Sequence, residues 1–314
     1  ECRKAALDGI KAAGIDVHII DDVVADPPEA MILTAVDEAK SAGVDGVVSV
    51  GGGSSLDTAK LIAVLVGSDQ PIGEMYGIGL VKGGRLPMVL APTTAGTGSE
   101  VTPISIVTTG TNEKKGVVSP QLLPDWAILD AELTVGLPAH VTAATGIDAM
   151  VHAIEAYTSV HKKNIVSDTL ARQALSLLGA NIHTACTNGG DRDARSNMLL
   201  GSMLAGMAFA NAPVAAVHAL AYPLGGHFHV PHGLSNALVL PYVLDFNMSA
   251  AAEQYAEIAP LIFPELAGQP VAKIGEGMVE GFKAMGPELG MQSMLADVGV
   301  NHNHLPMLAE DAMK

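Results

Sequence analysis

The sequence predicts an α/β domain with a parallel sheet, followed by an all-helical domain. Up to about residue 135, short β-branched runs alternate with stretches of helical periodicity, as in strands joined by helices. Beyond Leu137-Pro138 the β-branched runs fade, and Ala, Leu, Met and Gly dominate. The 314 residues suffice for two domains that each bury a core. We therefore expect domains at 1–136 and 137–314.

Each predicted element rests on hydrophobic periodicity and on Gly or Pro at its ends. Pro28 suits the first turn of a helix, and Gly14 and Gly43 end the helices before them. In order, the first domain has a helix over 5–13, a strand over 15–20, a helix over 28–42, a strand over 44–50, a helix over 54–65 and a strand over 88–91. Helical periodicity in the second domain covers 139–159, 167–184, 195–210 and 252–259.

Composition restricts the partners. Lys and Arg total 17 against 33 Asp and Glu, and a net charge of −16 repels a phosphate backbone, so we expect no nucleic-acid partner. Two cysteines are too few for a disulfide framework, which favours a reducing, cytoplasmic setting. Residues 196–244 contain no Asp, Glu, Lys or Arg, but Pro213, Gly225 and four histidines interrupt the run. We interpret it as buried helices around a polar centre, and not as a membrane span.

Two loops that follow predicted strands favour an anionic ligand. Gly51-Gly52-Gly53-Ser54 lies between a strand and a helix, where free backbone N–H groups attract an anion. Pro92-Thr93-Thr94-Ala95-Gly96-Thr97-Gly98-Ser99-Glu100 follows the next strand and is rich in hydroxyls. Open α/β sheets bind ligands at this edge. The alternatives are an ordinary turn capped by Ser54 or Ser55, and a polar loop that starts a helix at Ser99.

Histidines and one carboxylate in the second domain form a candidate metal site. Asp148 and His152 are four residues apart and share a helix face, although a simple Asp–His hydrogen bond or a helix cap would explain that pair. His218, His227, His229 and His232 fall within the uncharged stretch, and Gly225-Gly226 would let the chain turn so that His218 meets His232. Imidazoles with a carboxylate suit zinc or iron.

Taken in order, these segments resemble the iron-containing (group III) alcohol dehydrogenases. Gly51 to Lys60 is similar to the family's G-G-G-S-x-x-D-x-A-K, and Pro92 to Thr102 is similar to its second cofactor loop. Residues 145–157 are similar to the first half of the family's metal site. Residues 218–241, with His218, Pro231-His232-Gly233 and Asn236, are similar to the second half.

The resemblance implies a nucleotide-binding α/β domain and a helical metal-binding domain, the architecture shared with dehydroquinate synthase. It implies that NAD or NADP and a divalent metal, Fe²⁺ or else Zn²⁺, catalyse hydride exchange between an alcohol and an aldehyde in a homodimer. The implied metal ligands are Asp148, His152, His218 and His232. The implied cofactor residues are Gly51, Gly52, Gly53, Ser54, Thr93, Thr94, Thr97, Lys114 and Leu133.

The sequence departs from the family pattern at three places. The family's opening strands would precede Glu1, and a further helix would follow Lys314. Tyr222 stands where many members carry another histidine, so it is a candidate substrate contact. Three alternatives remain: a hydroxyacid–oxoacid transhydrogenase or hydroxy-acid dehydrogenase of the same family, a dehydroquinate synthase-like lyase, and an inactive metal-binding fragment. The first needs a cationic pocket for a carboxylate, and the region 196–244 supplies no Lys or Arg; the lyase needs several basic residues for a phosphorylated, carboxylated substrate, and the chain has only 17.

Overall fold

The computed structural model describes residues 2–110 and 113–313. The chain divides into two compact units. The first contains the described residues up to Thr93 together with Ser99–Thr134, and the second contains Thr94–Gly98 and the chain from Val135 onward. The first unit has an α/β architecture and the second is all-helical, as the sequence predicts.

Among its described residues, the first unit contains three α-helices and six strands, together with four short 3₁₀ helices. The helices are α1 (Cys2–Ala12), α2 (Glu29–Ala42) and α3 (Gly53–Val66). The strands are β1 (Val47–Gly51), β2 (Gly77–Ile78), β3 (Met88–Pro92), β4 (Ile104–Thr109), β5 (Glu113–Val118) and β6 (Trp126–Ala127). Pro28 precedes α2, and Gly43 ends it in the left-handed conformation with a φ of 66°, as its lack of a side chain allows.

Two three-stranded sheets form in this unit. The first is parallel throughout, in the order β1-β3-β6, and pairs Val47 with Met88. The second has the order β2-β5-β4 and contains an antiparallel β4–β5 pair, which the sequence did not indicate. The predicted strand over 15–20 is wrong, because among the described residues no strand pairs with this segment and Ile15 is exposed.

The second unit consists of seven helices among its described residues. They are α4 (Ala139–Thr158), α5 (Ile165–Thr187), α6 (Arg192–Asn211), α7 (Ala216–Phe228), α8 (His232–Ile262), α9 (Val271–Glu288) and α10 (Leu305–Asp311). A single apolar cluster runs through them, with side chains such as Met150, Leu178 and Met278 fully buried. Almost all of α4 beyond Val141 is buried, so the polar residues on this helix lie inside the unit.

The uncharged stretch forms α7, most of α6 and the first part of α8, as buried helices. Within the described residues, no single helix has the length and hydropathy of a membrane span. One pair, Arg192–Asn211 with Ala216–Phe228, meets both criteria together but bends by 106° at its break.

Candidate metal centre and cofactor loops

One face of α4 carries two of the four residues of the candidate metal centre. Asp148 and His152 are both almost fully buried. Their closest charged atoms, Asp148 Oδ1 and His152 Nε2, are 3.9 Å apart. This distance is too long for a hydrogen bond, so the alternative of a simple Asp–His bond is wrong for this pair.

The second half of the centre comes from α7 and α8. His218 lies in the first turn of α7, and His232 is the first residue of α8. The expectation that Gly225-Gly226 turns the chain is wrong, because α7 continues through both glycines to Phe228. The turn forms at His229, which adopts a left-handed φ of 54° and donates its backbone N–H to the Gly225 carbonyl, while the next residue, Val230, donates to the Leu224 carbonyl.

These elements bring all four predicted ligands together. One ligand atom each from Asp148, His152, His218 and His232 lies within 4.8 Å of every other. Asp148 Oδ1 is 3.9 Å from His218 Nε2 and 3.6 Å from His232 Nε2. Metal bonds to nitrogen and oxygen measure about 2.0–2.2 Å, so one ion is able to touch both atoms of such a pair.

The amide of Asn236 tests whether this group suits a cation. Its Nδ2 lies 2.5 Å from Asp148 Oδ1, 3.2 Å from His218 Nε2 and 3.3 Å from His232 Nε2. An amide has two hydrogens, so it cannot donate to all three atoms, and among the described residues its own Oδ1 is buried without a hydrogen-bond partner. A surplus of lone pairs in a buried site is what a divalent ion offsets, and three imidazoles with one carboxylate form a suitable ligand set.

Hydrogen bonds outside the ligand set hold two of the imidazole rings. His152 Nδ1 lies 3.2 Å from the carbonyl oxygen of Gly96, and a carbonyl only accepts, so the ring donates there and its Nε2 carries the lone pair. Phe209 stacks on the His152 ring with centroids 4.4 Å apart. His218 Nδ1 lies 2.6 Å from Glu155 Oε2. Ligating histidines in metal sites typically make such second contacts.

Burial sets the protonation of the centre. It lowers the pKa of His152 to about 4, because an imidazolium loses its hydration inside the protein, so this ring is neutral at neutral pH. Burial alone would raise the pKa of Asp148, but the three histidines and the Asn236 amide outweigh it and the pKa is lowered. A neutral imidazole beside a carboxylate is the form that binds a metal.

The centre is open on one side. The side chain of His232 is 31% exposed. Tyr222, the predicted substrate contact, is 38% exposed and stacks on the His232 ring with centroids 5.9 Å apart. His227 lies apart from the four ligands and pairs with Asp311 at 2.6 Å. His229 lies at the C-terminal end of α7.

The glycine loop joins β1 to α3 in the first unit. Gly52, which has no side chain, occupies the capping position before α3, so the alternative of a cap by Ser54 or Ser55 is wrong. Instead, Ser54 Oγ accepts a hydrogen bond from the backbone N–H of Asp26. Lys114 donates to Asp26 Oδ1 at 2.5 Å, so Asp26 connects this predicted cofactor lysine to the glycine loop.

The predicted cofactor residues of the second loop divide between the units. Thr93 belongs to the first unit and donates its backbone N–H to the Gly51 carbonyl at 2.9 Å. Thr94 and Thr97 belong to the helical unit with the segment 94–98. Leu133 ends a short 3₁₀ helix and is half-buried. The structure thus brings Ser54, Lys114 and Thr93 around one loop.

Lys60 forms a buried polar cluster that ties α3 to the chain after the second loop. Its ammonium donates to Ser99 Oγ at 2.8 Å, to the Ile104 carbonyl at 2.7 Å and to Asp57 Oδ1 at 3.3 Å. Burial lowers the pKa of Lys60. Nearby, burial raises the pKa of Glu100 to about 7, against the opposing attraction of Lys60.

Sequence reasoning gave no role to several residues that the structure places at these sites. Phe209, Glu155 and Asn236 contact the ligand histidines, and Asp26 contacts the glycine loop. Spacing alone could have indicated Glu155, which follows Asp148 by seven residues and so lies on the same helix face. Nothing local indicated Phe209 or Asp26, since their partners are distant in sequence.

Comparison with known proteins supports one family along nearly the whole chain. The model of the iron-containing alcohol dehydrogenase family matches residues 2–131, and the model of the C-terminal part of the Fe-containing alcohol dehydrogenase family matches residues 142–314. Long-chain-alcohol dehydrogenase 1 of Geobacillus thermodenitrificans (strain NG80-2) is 42% identical over 308 residues, 97% of this chain and 78% of that protein. The NAD-dependent methanol dehydrogenase of Bacillus methanolicus is 35% identical over 306 residues, 97% of this chain and 80% of that protein. The solved alcohol dehydrogenase from Oenococcus oeni superposes with a TM-score of 0.95 at 33% identity, and covers 99% of this chain and 81% of that one.

Proposed function

This chain belongs to the iron-containing alcohol dehydrogenase family and is a metal-dependent NAD(P) oxidoreductase of alcohols and aldehydes, and we propose that Asp148, His152, His218 and His232 hold its metal ion. The observation that carries the proposal is the convergence of Asp148 Oδ1, His218 Nε2 and His232 Nε2 on the single Nδ2 of Asn236. Buried acceptors that lack hydrogens are costly, and a cation among them removes that cost.

The chemistry of the reaction comes from two bound groups. A divalent metal lowers the pKa of an alcohol and polarises a carbonyl, and the nicotinamide of NAD or NADP accepts or returns a hydride. Burial keeps the His152 ring neutral, so this ring offers a lone pair to the ion. Phe209 covers one face of that ring and excludes water from it.

Substrate approaches from the open side, where His232 and Tyr222 are partly exposed. We propose that the Tyr222 hydroxyl donates a hydrogen bond to the substrate oxygen, since its ring is held in place by stacking on His232. A phenol does not titrate near neutral pH, so it would act as a fixed donor.

The cofactor residues proposed are Gly51, Gly52, Gly53, Ser54, Thr93, Thr94, Thr97, Lys114 and Leu133. Support comes from the uncapped first turn of α3, whose backbone N–H groups suit a pyrophosphate, and from Lys114, which Asp26 connects to Ser54. Replacing Gly52 by Val would place a branched side chain in this turn. It should raise the cofactor dissociation constant and leave the metal content intact.

The substrate class we propose is medium-chain primary alcohols and their aldehydes. The helices that carry Phe209, His218 and Tyr222 have no Lys or Arg from 196 to 244, which disfavours a carboxylate substrate. Each further buried methylene should gain about 0.8 kcal/mol, about fourfold in kcat/KM. The assay is a chain-length series from ethanol upward with 4-hydroxybutyrate as the charged competitor. A flat series, or preference for the hydroxy acid, would favour the transhydrogenase-like alternative.

The metal site is tested by paired histidine variants. His218→Ala should lose the metal and the absorbance change of NAD(P) with alcohol, because one of four ligands is gone. His227→Ala should keep both, since His227 pairs with Asp311 instead. Equal metal content in the two variants would refute the assignment. Metal analysis of protein purified without oxygen decides between Fe²⁺, which we propose, and Zn²⁺.

We propose the cellular setting and the oligomeric state of the enzyme from its charge and its family. Two cysteines and a net charge of −16 support a cytoplasmic protein without nucleic-acid or membrane partners. The family resemblance supports a homodimer. Light scattering at several concentrations would check the dimer.

A further inference from the structure

Glu155 is a buried carboxylate of α4 that is not one of the proposed metal ligands. It follows Asp148 by seven residues and His152 by three, so the three side chains share one face of the helix. Only 4% of Glu155 is exposed. A carboxylate so deeply buried needs hydrogen-bond donors, because it has lost its hydration.

Both oxygens of Glu155 reach α7. Oε1 accepts the backbone N–H of Val217 at 2.7 Å, and Oε2 lies 2.6 Å from His218 Nδ1. Val217 lies in the first turn of α7, whose preceding residue Ala215 gives no side-chain cap. The carboxylate therefore satisfies one free N–H of this turn and faces the positive end of the helix.

The second contact fixes the tautomer of His218. A carboxylate only accepts hydrogen bonds, so the imidazole proton lies on Nδ1 and the lone pair lies on Nε2. That Nε2 is the atom that lies 3.2 Å from Asn236 Nδ2 and 3.9 Å from Asp148 Oδ1. The opposite tautomer would direct a hydrogen into the centre.

We propose that Glu155 is a positioning residue of the metal centre, which holds the His218 ring in the tautomer and orientation that present Nε2 to the ion. The proposal rests on the proposed metal site. The charges support it, because Asp148 and Glu155 place two carboxylates in a buried region, and one divalent ion balances both.

The test replaces the carboxylate by its amide. In Glu155→Gln, the single amide oxygen accepts from Val217 or from His218, and the NH₂ group faces the other donor. If the oxygen stays on Val217, the NH₂ group favours the wrong tautomer of His218. Zinc affinity, measured on the full chain by chelator competition, should fall about 10- to 100-fold. The visible absorption bands of bound Co²⁺ should also shift.

A matched control separates this role from helix capping. Asp191 accepts the backbone N–H of Ala194 at 2.9 Å at the start of α6, so Asp191→Ala removes a capping carboxylate outside the metal centre. It should lower the melting temperature and leave zinc affinity and the Co²⁺ bands unchanged. If Glu155→Gln behaves in the same way, Glu155 is only a cap and the proposal is overturned.

Two further measurements keep the outcomes distinct. Wild type that binds no zinc, or an Asp148→Ala variant that binds it as tightly as wild type, would contradict the metal site itself. If Glu155→Gln does not fold, the ¹⁵N chemical shifts of His218 in the metal-free wild type decide, with the signal assigned by its loss in His218→Gln. A proton on Nδ1 supports the proposal, and a proton on Nε2 overturns it.

Discussion

Substitution of Glu100 by Gln should make the protein more stable at alkaline pH and leave its stability unchanged under mild acid. Glu100 lies in a short 3₁₀ helix after the second loop and is almost fully buried. Lys60 attracts its carboxylate, but burial dominates and raises the pKa. Glutamine has nearly the same shape and no charge, so the substitution isolates the effect of ionisation.

The magnitude follows from the two pKa values. The carboxyl has a pKa of about 7 in the folded protein against 4.5 ordinarily, so between these values the folded state binds more protons than the unfolded chain. The free energy of unfolding therefore falls as the pH rises from 4.5 to 7, by roughly 3 kcal/mol from this group, since one pKa unit corresponds to about 1.4 kcal/mol. Above pH 7 the loss is complete, and below pH 4.5 it is absent.

Urea unfolding of both proteins at several pH values measures this difference. Glu100→Gln should exceed wild type by up to roughly 3 kcal/mol at pH 8 and match it near pH 4.5. Glu276→Gln serves as the control for the same substitution at an exposed glutamate. A difference between Glu100→Gln and wild type that stays constant with pH would refute the reasoning. A less stable variant at pH 8 would show that the ion pair with Lys60 outweighs burial.

Three further substitutions have expected outcomes. Gly98→Ala should lower the free energy of unfolding in urea by at least about 2 kcal/mol, because Gly98 has a φ of +59° and an added Cβ would lie 2.6 Å from Gly206 Cα. The control is Gly268→Ala, where φ is +77° but the space around the Cβ is open. It should cost only the backbone strain of about 1–2 kcal/mol. Lys60→Met should cost about 1–3 kcal/mol, since it removes the ammonium from Asp57, which is partly buried and keeps its hydrogen bonds from Ser99 and Ile106, and metal content should not change. Tyr222→Phe keeps the ring on His232 but removes the hydroxyl, so kcat/KM for alcohols should fall about 2- to 10-fold at unchanged metal content; an unchanged kcat/KM would exclude the hydroxyl as a substrate contact.

Local signals in the sequence were enough for much of the fold. Pro28 and Gly43 bound α2 as predicted, because a fixed φ and a left-handed glycine act within one turn. The strand before the glycine loop and the helix after it also follow from a short apolar run and its glycines. The segment 15–20 shows the limit, since alternation alone does not supply a neighbouring strand.

The candidate site was predictable to the extent that its residues lie in recognisable motifs. Asp148 and His152 share a helix face by spacing, whereas His218 and His232 converge through a turn that His229 makes and the glycines do not. Contacts such as His152 with Gly96 join residues 56 positions apart, so no local pattern contains them. Long-range packing decides these contacts.

A buried helix is usually apolar, but one face of α4 is polar because it carries residues of the candidate metal centre. If apolar residues replaced Asp148, His152 and Glu155, they would pack into the same core without the cost of removing a polar group from water. The fold instead satisfies each of these groups with partners from outside α4: Asn236 for Asp148, Gly96 for His152, Val217 and His218 for Glu155. In His152 and His218, the Nδ1 atom donates to a group outside the ligand set, which leaves the lone pair of Nε2 directed toward the other ligands. The buried hydrogen bonds that make the face tolerable therefore also create the surplus of acceptors that a divalent ion offsets.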